Sequence, residues 1–167
     1  MCGYNIWDEG AMDDTRLAFM VSEAAHYSVA RAARIMGWGD KGVVKVPVNS
    51  RMQLDASKLE ETLKNAQAEG LKVIALVGNA CTTSTGTYDP LNEMADFASA
   101  HGLWFHVDGA HGGGAAMTEK YSYLTKGIER ADSVVIDFHK MMLAPALTTA
   151  VLFRNGRHSF ETFAQKA

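Results

Sequence analysis

The sequence has little cysteine, little proline and no long apolar run, and each shortage narrows the class of protein. Two cysteines in 167 residues, Cys2 and Cys81, cannot build a disulfide framework for a chain this size, and without a CxxC spacing they read as reduced thiols. No stretch approaches the ~20 consecutive apolar residues that a membrane span needs. The opening MCGYNIWDEGAMDD has neither the basic region nor the apolar core of a leader. The expectation is a cytoplasmic protein with no membrane partner. A basic run or tail is also missing: 16 Lys+Arg stand against 19 Asp+Glu, a net charge of −3, so the electrostatic footprint of a nucleic-acid binder is absent. Only Pro47, Pro90 and Pro145 interrupt the chain, no Ser/Gly linker or internal repeat occurs, and nothing marks a domain boundary. Apolar residues make up 47% of the sequence, enough to bury a core.

Short apolar runs fall at Leu17–Val21, Val43–Val48, Val73–Val77, Leu103–Val107, Val134–Ile136 and Ala150–Phe153, each of strand length. Helical patterns lie between most of them. One follows His26, with Val29, Ala32, Ala33 and Met36 on one stripe and Gly37 placed to end it. A second opens at Asp55 and carries Leu59, Leu63 and Ala66 towards Gly70. A third starts at Asp89-Pro90, read as an N-cap and first helical residue, and continues through Leu91, Met94, Ala95 and Ala98 to His101-Gly102. Strands alternating with helices imply an α/β fold: a mostly parallel sheet with helices on both faces. Ligands of such sheets gather at the carboxyl ends of the strands.

The residues directly after the runs are therefore the informative ones. His26 follows the first, Cys81-Thr82-Thr83 the third, Asp108-Gly109-Ala110-His111 the fourth, and Asp137-Phe138-His139-Lys140 the fifth. A carboxylate at Asp108, partly desolvated at a strand end, calls for a cationic partner, although a turn or cap role is equally compatible with its position. Lys140 stands between an aromatic strand end and the apolar Met141-Met142-Leu143-Ala144, a setting that suits a desolvated amine nucleophile able to form a Schiff base; a lysine snorkelling off a loop is the plainer reading. His106, Asp108 and His111 match no established zinc spacing. Gly112-Gly113-Gly114 permits close backbone approach or a positive φ; this triplet does not satisfy GxGxxG, and no GxxxxGK[ST] occurs.

A strand ending in HVDGAH, followed by an HK pair at the end of another strand, resembles the group II pyridoxal-phosphate-dependent amino-acid decarboxylases. Ala25-His26-Tyr27-Ser28, Thr82-Thr83 with Gly86 and Asp89-Pro90, Gly127-Ile128-Glu129-Arg130-Ala131-Asp132-Ser133 and Glu161-Thr162-Phe163 extend the resemblance in order along the chain. It implies a fold type I large domain, with residues 1–167 as part of it; a phosphate-cup segment upstream and a small domain downstream would lie outside this sequence. It implies pyridoxal 5'-phosphate held by Lys140 as a Schiff base, Asp108 on the pyridine nitrogen, and His26 and Ala110 against the ring. Thr83 would bond the cofactor with Thr82 beside it, and His139 would touch the phosphate or orient the lysine. Lys140, His26 and Asp108 become the expected catalytic residues, an L-amino acid the substrate, amine and CO2 the products, and a homodimer the expected assembly. Another fold type I activity (aldehyde synthase, transaminase or desulfurase-like) and a catalytically incomplete fragment are the alternatives. Asp137 departs from the family's frequent Asn, and a carboxylate near a phosphate would repel it unless turned away or countered.

Overall fold

The structure is a computed structural model that describes residues 15–164. Cys2 and the N-terminal stretch read above lie outside the described residues. Six strands form one sheet: β1 (Arg16–Ser22), β2 (Val43–Val46), β3 (Leu71–Asn79), β4 (Trp104–Asp108), β5 (Ser133–Asp137) and β6 (Thr149–Phe153). Their spatial order is β2-β1-β3-β4-β5-β6. All neighbours run parallel except β6, which returns antiparallel to β5. The α-helices among the described residues are α1 (Ser28–Ile35), α2 (Leu59–Ala68), α3 (Leu91–His101) and α4 (Gly156–Phe163).

One face of the sheet carries Met20, Val46, Leu76, Phe105, Val107, Val134 and Ile136, all buried with Leu59, Leu63 and Ala66 of α2 and Leu91, Met94, Ala95 and Ala98 of α3. Here the helical stripes anticipated from the sequence pack as expected. β3 is apolar almost throughout because central parallel strands bury both faces. On the opposite face Phe19 meets Trp38 just after α1, and Trp104 meets His158 of α4. Helices thus lie on both faces, as the alternation of elements implies.

Three local expectations change. Of the α1 stripe only Ala33 is buried, and Met36 is the exposed C-cap, because this short helix lies at the sheet edge against the turn at Asp40–Gly42 rather than across the sheet. The strand expected to reach Val48 ends at Val46, before Pro47. The third helix begins at Leu91 with Pro90 as its N-cap residue; Asp89 does not cap it but turns inward. Asp89 Oδ1 accepts from Leu54 N at 2.8 Å, while Oδ2 accepts from Asn79 N at 2.9 Å and Asn79 Nδ2 at 2.6 Å. Burial pushes this carboxyl above its ordinary range, and those three donors oppose the shift. All three partners are donors, so Asp89→Asn must turn an amide N–H towards another N–H; we expect a loss of roughly 1–3 kcal/mol in urea unfolding. An unchanged midpoint would refute this hub.

Gly37-Trp38-Gly39-Asp40-Lys41-Gly42 happens to have GxGxxG spacing, but it joins helix α1 to strand β2, the reverse of the strand-to-helix order that a dinucleotide site uses.

Candidate active site

The strand order reverses between β1 and β3, which opens a crevice at their carboxyl ends. A cavity of about 230 Å³ lies there, and its walls bring together residues from four strand ends: His26 after β1, Thr82 and Thr83 after β3, Asp108 and Ala110 at β4, and Lys140 after β5. Six of the seven site residues expected from the sequence therefore share one space. His139 is not among the lining residues. Its Nδ1 accepts from Thr148 N at 3.0 Å, and its Nε2 lies 3.9 Å from Asp137 Oδ2, so it secures the turn beneath Lys140.

The loop after β3 explains the two threonines. Thr82 is buried and its hydroxyl is spent internally, 2.5 Å from that of Thr85 and 3.0 Å from that of Thr87. Gly86, at φ +68°, closes the loop by donating its N–H to Thr82 O at 2.9 Å. Thr83 is exposed at the cavity, and its hydroxyl has no partner among the described residues.

The turn after β4 leans on that loop. Gly112 N donates to Ala80 O at 2.8 Å, and a Cβ at Gly112 would lie 2.6 Å from both Cys81 N and Tyr88 Oη. The glycine triplet thus serves close approach, and none of its members has a positive φ. Gly112→Ala should cost roughly 1–3 kcal/mol by pushing the two loops apart, read as a lower unfolding midpoint; a wild-type midpoint would refute the contact. Cys81 lines the cavity as a free thiol whose pKa is pushed up by burial, with the Asp108 charge adding to the effect.

Asp108 is half-buried. Among the described residues its side chain accepts a single hydrogen bond, from Ala110 N at 3.1 Å, and makes no ion pair. Two residues back on the same face, His106 places Nδ1 2.8 Å from Ser133 Oγ, which also accepts from Trp104 Nε1 at 2.9 Å. Burial, the larger influence, lowers the His106 pKa against the opposing pull of Asp108. His26 Nδ1 accepts the Ser28 N–H at 3.3 Å and lies 2.9 Å from Ser28 Oγ, which fixes the ring at the mouth of the turn after β1.

Asp137, the departure noted in the sequence, is countered. Its Oδ2 lies 2.7 Å from Lys140 Nζ and its Oδ1 accepts from Thr149 Oγ1 at 2.6 Å. Burial pushes this carboxyl up, but Lys140 and Thr149 outweigh it and hold Asp137 below its ordinary range. Sequence reading did not single out Thr149: it reaches Asp137 only through the antiparallel β5–β6 register, which pairs the two residues.

Comparison with known proteins identifies the family. The family described as the pyridoxal-dependent decarboxylase conserved domain matches residues 6–166. The chain is 42% identical over 139 residues to an aspartate 1-decarboxylase of Aliivibrio fischeri, covering 83% of this chain and 25% of the relative. It is 41% identical to an L-2,4-diaminobutyrate decarboxylase of Acinetobacter baumannii, covering 71% and 23%. Among solved structures, the glutamate decarboxylase domain of a Vibrio parahaemolyticus diaminobutyrate-pyruvate transaminase and L-2,4-diaminobutyrate decarboxylase superposes with a TM-score of 0.91 at 36% identity, covering 99% of this chain and 36% of that one. The chain spans about a quarter of the length of these curated relatives.

Proposed function

Because the chain belongs to the pyridoxal-dependent decarboxylase family, we propose that it forms part of the cofactor-binding large domain of an enzyme that removes the carboxylate of an L-amino acid as CO2 and releases the amine. The observation that carries this reading is the meeting of Lys140, Asp108, His26 and Ala110 around one cavity at the sheet's carboxyl edge.

The residues fit pyridoxal phosphate. Asp108 is a carboxylate at the cavity without an ionic partner among the described residues, as a protonated ring nitrogen requires. Lys140 offers an amine, Thr83 an uncommitted hydroxyl, and His26 and Ala110 an aromatic and a methyl surface from two separate strand ends. When bound, the cofactor supplies the electron sink that accepts the pair left by departing CO2.

The protein's own residues do the rest. Lys140 would hold the cofactor through its side-chain nitrogen, which is free to release it when a substrate amine arrives. Asp108 keeps the proton on the ring nitrogen. His26 and Ala110 would hold the ring from two sides of the cavity and so orient the substrate's carboxylate for departure. Thr82 acts indirectly, by ordering the loop that presents Thr83. Incubating the full-length protein with L-amino acids and pyridoxal phosphate should yield CO2 and the matching amine; a keto acid or aldehyde as the main product would overturn the reading. The names of the relatives support acidic or diamino substrates as the first to try.

The assembly we propose is a cytoplasmic homodimer. Among the described residues no helix is long and apolar enough to cross a membrane. Leu143 and Leu147, just beyond Lys140, are 89% and 90% exposed, and Tyr123 and Met117 are exposed as well, apolar side chains that a second subunit would cover. Light scattering of the full-length protein over a dilution series should give twice the chain mass; a persistent monomer contradicts it.

A further inference from the structure

We infer that Asp137 is a positioning residue for Lys140, a resident counter-ion that holds its side-chain nitrogen at the cavity and restrains its reaction with carbonyl compounds until the ion pair opens. The inference deepens the proposed function, since it concerns the amine that function assigns to the cofactor.

The geometry begins with the end of β5. Asp137 is the last residue of the strand, and its main-chain N–H is tied to Ala110 O at 3.1 Å, beside Asp108. The chain then turns so that Lys140 N donates to Asp137 O at 3.2 Å, and the amine comes back over the carboxylate three residues earlier, 2.7 Å away. Asp137 cannot swing aside freely, because Thr149 grips its other oxygen at 2.6 Å from the paired strand β6. Its side chain is 13% exposed, against 41% for Lys140, so the anchored partner is the acid and the movable one the base.

This arrangement also answers the objection that a carboxylate here would repel a phosphate. Both oxygens are committed, one to a cation and one to a hydroxyl, and the residue's charge is spent on Lys140 rather than directed at a ligand. An ammonium has no lone pair, so it cannot attack a carbonyl while it remains paired. The pair must open, and the proton leave Nζ for solvent, before the amine is nucleophilic.

The test uses the full-length protein stripped of cofactor. Trace labelling with acetic anhydride at neutral pH, followed by peptide mass spectrometry, reads the reactivity of Lys140, with Lys120 and Lys126 as internal references. Asp137→Asn should raise Lys140 labelling several-fold while the two references stay constant, Thr149→Val should give a smaller rise, and Asp137→Glu should restore slow labelling. Unchanged Lys140 labelling in Asp137→Asn overturns the proposal, as does an equal rise at all three lysines, which would report a loosened fold. The readout requires no turnover. A protein that proves not to decarboxylate, yet shows the Lys140-specific rise, would refute the proposed function and leave this inference standing.

Discussion

Replacing Lys140 with alanine is expected to abolish turnover, a loss on the order of 10⁶-fold, the scale on which removal of a covalent nucleophile acts. Lys140→Arg should not rescue it, because a guanidinium stays protonated and is a poor nucleophile towards a carbonyl. The fold should survive either change. The Lys140–Asp137 pair has one partner 41% exposed, so its contribution is that of a screened surface pair, below about 1 kcal/mol. Circular dichroism melts should therefore nearly coincide with the parent while activity vanishes, a separation that a structural lysine would not give. Borohydride reduction of the cofactor-loaded full-length protein, followed by peptide mapping, should place the cofactor on Lys140; finding it on Lys120 or Lys126 would reassign the site.

Much of this site was legible in the sequence because a parallel sheet ties chemistry to position. Once the first five apolar runs are read as parallel strands, the residues that follow them must emerge along one edge, and His26, Thr83, Asp108 and Lys140 do; the sixth run returns antiparallel and ends at the other edge. Side-chain commitments were not legible, because they depend on which donors lie nearby in space. Asp89 followed by proline has the form of an N-cap, yet buried N–H groups from Leu54 and Asn79, residues distant in sequence, draw its carboxylate inward and leave Pro90 at the cap. Thr82 and Thr83 look alike, but one hydroxyl is consumed by Thr85 and Thr87 and the other faces the cavity. Asp137 was identifiable as an oddity; its counter-charge was only three residues away, but the hydroxyl that anchors it depends on the length and path of the β5–β6 connection.

The second large effect is expected at Asp108. Asn has the shape of Asp and can still accept the Ala110 N–H, so the turn after β4 should persist and the cofactor should still enter. On the proposed reading, what would be lost is the negative charge that keeps a proton on the ring nitrogen, and with it the ring's capacity to take electrons as CO2 departs. An electrostatic contribution of this kind is worth about 3–4 kcal/mol of barrier, or roughly a hundred- to thousandfold in rate. His106 offers no replacement charge, because burial favours its neutral form and its Nδ1 is engaged with Ser133. The loss should fall on kcat more than on KM, since substrate binding does not require the ring proton while the bond-breaking step does. Steady-state kinetics of Asp108→Asn, beside its thermal melt, measure both quantities. A kcat within a few-fold of the parent would show that the charge on Asp108 is not used in the chemistry; an equal collapse of stability would show that the carboxylate belongs to the fold instead.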